Sequence, residues 1–115
     1  MPSKAVRLSY TGAFHRQLKH LARKYRHLSA DLQPLLDQLA AGETPGDRVQ
    51  AVQTIVYKVR VPNRDARRGK SGGYRVIYVL ESADLRLLLT IYSKTEQSDI
   101  PADQLQRILE EELQR

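Results

Sequence analysis

The chain has 115 residues, 41% hydrophobic and 28% charged, which is enough for one domain with one core and is the composition of a folded soluble protein. It contains no cysteine, which excludes disulfides and thiolate metal sites. Its net charge of +6 and pI near 9.8 make a polyanion the first partner to consider, and an acidic protein surface the second.

No apolar run approaches the roughly 18 residues of a membrane span, and no apolar signal segment opens the chain, so a cytoplasmic protein without a membrane partner is expected. Residues 1–26 carry seven basic groups and no acid, whereas residues 76–115 carry eight acids against four bases. That asymmetry suggests a basic working face and an acidic rear.

Ala5–Tyr10 alternates Val6, Leu8 and Tyr10 with Ala5, Arg7 and Ser9, the period of a half-buried strand. Thr11 offers an N-cap hydroxyl to a first amphipathic helix bearing Phe14, Leu18, Leu21, Ala22 and Tyr25. His15, His20 and His27 lack the i, i+4 spacing of two ligands on one helix face, so no metal is expected. Asp31 is placed to cap a second helix with Pro34 in its first turn and Leu32, Leu35, Leu36 and Leu39 along one stripe. Gly42 ends that helix, and the two helices form a hairpin against a sheet. Residues 43–53 read as a loop with at most a short extended piece.

Thr54–Val61 is the second strand, with Ile55, Tyr57, Val59 and Val61 on one side and Val56, Lys58 and Arg60 on the other. Pro62 to Gly73 is a long basic loop. Tyr74–Leu80 is the third strand, with Arg75, Ile77 and Val79 on one side, and Ser82–Asp84 turns the chain. Arg86–Tyr92 is apolar enough for a sheet centre, and Pro101–Leu113 closes the chain as a helix. The fold class is therefore α+β, in the order β-α-α-β-β-β-α, with the hairpin and the last helix packed on a mainly antiparallel sheet.

Charge is concentrated in the middle. Between Lys58 and Arg75 stand seven basic residues (Lys58, Arg60, Arg64, Arg67, Arg68, Lys70 and Arg75) and one acid, Asp65, leaving 12 basic and 12 acidic residues elsewhere. Gly69–Lys70–Ser71 looks like the end of a P-loop. The full pattern needs glycine where Arg64 stands, and a helix where a strand follows, so a nucleotidase is rejected. Lys58 and Arg60 share a strand face, Arg75 joins them in a suitable register, and Tyr92 and Lys94 alternate together near the end of the last strand. A carpet of like charge is unfavourable by itself, and phosphate relieves it. The bland alternative is a sheet edge blunted by lysine against aggregation, which accounts for Lys58 or Lys94 singly but not for the cluster.

The run YKVRVPN…GKSGGYRVIY, followed by LLLTIYSKTEQSDI, resembles the RelE/HigB/ParE superfamily of type II toxins over nearly the whole chain, in particular its HigB-like branch with a longer basic loop. The motifs are K-x-R on one strand, GGYR-x-x-Y on the next and Y-x-K at the end of the last. The resemblance implies a RelE-like fold and a metal-independent endoribonuclease, with no cofactor, that cuts translated mRNA in the ribosomal A site. Its implied partners are the 70S ribosome with its rRNA, mRNA, and a cognate antitoxin protein.

Such cleavage uses the 2′-OH as nucleophile and needs a base, cations around the phosphorane, and an acid for the 5′-oxygen. By the RelE pattern, Lys58 and Arg60 match the strand residues with base and phosphate roles, and Arg75 matches the arginine that stabilises the transition state. Tyr92, by stacking on a base or as a stand-in acid, and Lys94 complete the expected catalytic set. Arg64, Arg67, Arg68 and Lys70 are the expected RNA- and ribosome-binding cations. The chain departs from the pattern at Thr95, where RelE has an arginine, and at Ile100–Pro101, where RelE has its catalytic tyrosine. Glu96 and Asp99 are further acids within reach, with helix capping the favoured job for Asp99. Tyr57, Tyr74 and Tyr78 are expected in the core. Two other readings stay open: a ParE-like inhibitor of DNA gyrase, and an RNA-binding or decayed toxin without catalysis.

Overall fold

The computed structural model describes residues 6–50, 52–65 and 73–113. Within them the elements are β1 (Arg7–Tyr10), α1 (Gly12–Lys24), α2 (Leu28–Ala40), β2 (Asp47–Arg48), β3 (Val56–Val61), β4 (Tyr74–Ser82), β5 (Leu85–Ser93) and α3 (Ala102–Leu113). The strands form one sheet in the order β1-β5-β4-β3-β2. β1 runs parallel to β5, and the other three pairings are antiparallel. The expected α+β architecture is present, with the short extended piece of residues 43–53 realised as β2.

Both faces of the sheet are covered, which is why β5 reads as an apolar run rather than an alternation. On one face the α1–α2 hairpin buries Phe14, Leu21, Leu28, Leu32, Leu35 and Leu39 against Val59, Val61, Tyr74, Val76, Tyr78, Leu88 and Ile91. On the other, Leu105 and Leu109 of α3 pack on Val56, Ile77, Val79, Leu87, Leu89 and Tyr92. The side assignments expected for β3 and β4 hold: Val59 and Val61 turn to the hairpin, and Val56, Ile77 and Val79 turn to α3. Tyr74 and Tyr78 are fully buried, and Tyr57 stacks on Tyr78 at 5.5 Å, so these tyrosines serve packing.

Thr11 caps α1 as expected, its Oγ1 accepting from the Phe14 N–H at 2.9 Å while donating to the Leu89 carbonyl at 2.7 Å. The start of α2 is a correction. The helix begins at Leu28, with the Asp31 N–H already bonded to the His27 carbonyl. Pro34 therefore lies inside the helix, not in its first turn, and Asp31 is not the cap. Burial of Leu28 beside Tyr25 extends the helix backwards, and the Asp31 carboxylate is drawn to Arg64 instead. No helix among the described residues is long and apolar enough to cross a membrane.

Candidate functional site

Strand register decides which cations meet. In the β3–β4–β5 ladder Arg60 lies opposite Arg75, and Arg75 lies opposite Tyr92. Directly opposed residues share a face, with Cβ atoms about 5 Å apart, so these three form a row across the sheet on the α3 side. Lys58 lies one step along the same face, opposite Ile77, which in turn opposes Thr90. A bulge lies between the Ile77–Thr90 and Tyr78–Leu88 pairs. On this face Val56, Ile77, Val79, Leu87, Leu89 and the Tyr92 ring pack under α3, and the cations stand toward the strand ends where the basic loop leaves and returns.

One carboxylate ties the cluster together. Asp99 Oδ1 accepts from Tyr92 OH at 3.0 Å and lies 3.7 Å from Lys58 Nζ, while Oδ2 lies 3.1 Å from Lys94 Nζ. The hydrogen bond from Lys94, with help from Tyr92 and Lys58, holds the Asp99 carboxyl below the usual carboxylate range against the opposing effect of burial. Burial, reinforced by the Asp99 hydrogen bond, pushes the Tyr92 phenol up to about 12. The ring of Tyr92 is packed in the core under α3, with the residue only 2% exposed, so it has no face free to stack on a base. Only its hydroxyl reaches the site. Asp99 does not cap α3 either: the helix starts at Ala102, and the Leu105 N–H bonds to the Pro101 carbonyl.

The predicted catalytic set of Lys58, Arg60, Arg75, Tyr92 and Lys94 is thus brought to one end of one sheet face. Arg60 is exposed, and Arg75 is half-buried with Nη1 3.4 Å from the Tyr74 carbonyl. Arg64 goes elsewhere. Its Nε and backbone N–H both bond to Asp31, at 2.8 and 3.0 Å, which anchors the loop root while the side chain stays largely exposed. Arg67, Arg68 and Lys70 lie outside the described residues.

The root of the basic loop is built from side chains that sequence reasoning had not joined. Asp65 accepts from the His27 backbone N–H at 2.7 Å and pairs with His27 Nδ1 at 2.6 Å. These bonds to His27 hold the Asp65 carboxyl below its ordinary value. On the returning side Gly73 has φ +96°, and its carbonyl accepts from the Lys94 N–H at 3.0 Å. The connection between β5 and α3 is pinned as well. Glu96 meets His20 Nε2 at 3.1 Å, Lys24 Nζ at 3.2 Å and Tyr25 OH at 3.4 Å. Burial raises the Glu96 carboxyl, but His20 and Lys24 outweigh it and hold it low.

The two departures also find their places. The Thr95 hydroxyl bonds Ser93 Oγ at 2.9 Å, and Ile100 packs on the core under α3. A groove of about 480 Å³ between α2 and β3, walled by Pro34, Leu35, Val59 and Val61, opens on the hairpin side and meets the cluster only at Arg60. No three His, Asp or Glu among the described residues are grouped to hold a metal ion. The arrangement can bind an oxyanion: two lysines and a phenol converge on one carboxylate, with a pair of arginines alongside.

The chain matches no family model and no curated protein. In structure it is similar to an Escherichia coli toxin RelE mutant, with two arginines replaced by alanine, in the free state. The TM-score is 0.51, with 97% of this chain and 98% of that chain covered at 13% sequence identity. The fold is RelE-like.

Proposed function

We propose that the chain is a RelE-type toxin, a ribosome-dependent endoribonuclease that cuts translated mRNA without a metal or other cofactor and is held in check by a cognate antitoxin. One observation supports this most: Lys58, Lys94 and the Tyr92 hydroxyl converge on a single anion position on a RelE-like sheet, with Arg75 and Arg60 in the same strand row as Tyr92. A scissile phosphate in that position has its charge neutralised from several sides. The 2′-oxygen attacks phosphorus, the P–O5′ bond breaks, and a 2′,3′-cyclic phosphate and a 5′-hydroxyl result. In this reading Arg75 and Arg60 stabilise the extra charge of the phosphorane, and Lys58, in its uncharged form beside the two arginines, takes the 2′-OH proton in the manner of the RelE-pattern lysine. The 5′-oxygen receives its proton from Lys94 or Tyr92. Arg67, Arg68 and Lys70 extend the contact to rRNA.

The test is mapping of mRNA 5′ ends in cells after brief induction of wild type, Lys58→Ala and Arg75→Ala. Cuts inside translated reading frames are expected in wild type and at least about a hundredfold fewer in either variant, the size of effect seen when one preorganised charge-stabilising group is removed. Growth arrest without cuts would move the reading to gyrase poisoning.

A second reading has its own observation. Thr95 is tied to Ser93 and Ile100 is a core anchor, so both positions where the RelE pattern carries a catalytic group serve structure here. That favours an RNA-binding protein without catalysis, for which neither arrest nor cuts would be seen while RNA is still bound.

A further inference from the structure

The reading above brings a phosphate to the cations, yet in the free protein that place is taken. Both oxygens of Asp99 are engaged, Oδ1 by Tyr92 OH and Lys58 Nζ, Oδ2 by Lys94 Nζ. A carboxylate and a phosphodiester each carry one negative charge on a pair of acceptor oxygens, so the same donors suit either group. Both cannot occupy the position together, because like charges a few ångströms apart repel.

We propose that Asp99 is an internal counter-anion: it fills the oxyanion position of the free protein, must swing out before a phosphate enters, and so sets the affinity threshold of the site. The proposal rests on the reading of this face as a phosphate site and names how that site is regulated. Three features support it. Asp99 lies in the connection between β5 and α3, outside any helix or strand, and is about half exposed, so its departure disturbs no ladder. It has no capping duty to keep it in place, since α3 begins beyond it. Its neighbours Lys94, Tyr92 and Lys58 keep it ionised at neutral pH, so a competing anion, and not ordinary pH, displaces it.

A different role predicts the opposite sign. Were Asp99 needed to orient Lys58 and Tyr92 for the ligand, its neutralisation would weaken binding. The measurement compares wild type, Asp99→Asn, Asp99→Ala and the Asp99→Asn/Lys94→Ala double variant at constant ionic strength. The probes are inorganic phosphate, followed by NMR, and a short fluorescein-labelled 2′-O-methyl RNA that cannot be cleaved, followed by anisotropy. Asparagine keeps an acceptor for Tyr92, and thermal melts establish that each variant is folded.

We expect Asp99→Asn and Asp99→Ala to bind both probes about tenfold more tightly than wild type, the effect of releasing two partly exposed ion pairs, and the gain to shrink when Lys94 is also removed. Equal or weaker binding by both single variants overturns the proposal. Tighter phosphate binding with no RNA binding by any variant upholds the counter-anion and sinks the nuclease reading, which keeps the two failures apart.

Discussion

At the scale of single residues, the cationic face depends on a few positions that tolerate one side chain only. Gly73 returns the basic loop to β4 at φ +96°, and a Cβ built there would lie 2.7 Å from the Val61 carbonyl oxygen. Neither the dihedral nor the contact admits a larger residue, because the obstructing atom is backbone. Gly73→Ala is therefore expected to destabilise the fold by about 2 kcal/mol or more, from the left-handed strain plus the clash. Urea denaturation measures it, and a change under about 0.5 kcal/mol, the range of an unremarkable surface substitution, would show that the turn adapts. Tyr92 illustrates the opposite restriction. Its ring belongs to the core and its hydroxyl to the site, so it joins the packing under α3 to the position of Asp99.

At the scale of elements, the two connections that flank the cluster are fastened to the helical hairpin by carboxylates. Asp65 holds the loop root to His27 at the α1–α2 junction, and Glu96 holds the β5–α3 connection to His20 and Lys24 of α1. Asp99 fastens that same connection to the sheet. All three carboxyls sit below their ordinary values in the folded protein, so the folded state binds their protons less readily than the unfolded chain does. The stability they contribute is fully present above the unfolded carboxylate range of about pH 4 and is lost as pH falls through the lowered folded values. Urea midpoints are expected to be flat from about pH 7 to 5 and to drop below about pH 4. An Asp65→Asn/Glu96→Gln/Asp99→Asn triple variant should show a shallower acid drop. An identical drop in that variant would mean that other carboxylates dominate acid unfolding. These pairs are partly exposed, so their effect is on local anchoring more than on global stability.

At the scale of the whole molecule, the excess charge of +6 is balanced everywhere except in the stretch that runs along β3, the basic loop and β4. A single-stranded RNA seated there releases about 0.7 counterion per phosphate neutralised, so four contacts from Lys58, Arg60, Arg75 and Lys94 predict a slope of log K against log salt near −3. Anisotropy titration from low to physiological salt reads that slope, and Lys94→Ala should flatten it by about 0.7. A slope near zero would place any RNA binding on uncharged contacts and away from this face. Two acids of the C-terminal third are spent on cations, Glu96 on His20 and Lys24 of α1 and Asp99 on Lys58 and Lys94 of the cluster.

Much of this was legible from local pattern. Alternation in β3 put Lys58 and Arg60 on one face, because side-chain direction along a strand follows parity alone, and the apolar run of β5 fitted a sheet centre. That Arg75 shares their face, and that the face is the one under α3, was decided by strand register and packing. The Thr11 cap and the tight turn at Ser82–Asp84 were equally local. What the tertiary structure alone decided was where each carboxylate went. Asp31 left its capping role for Arg64, 33 positions away, and Asp65 chose His27, 38 away. Glu96 chose α1, 76 positions from His20, and Asp99 became the centre of the cation cluster instead of a helix cap. An ion pair carries no periodicity and only a weak preference for sequence neighbours, so its partner is settled by which chain segments packing brings within 4 Å.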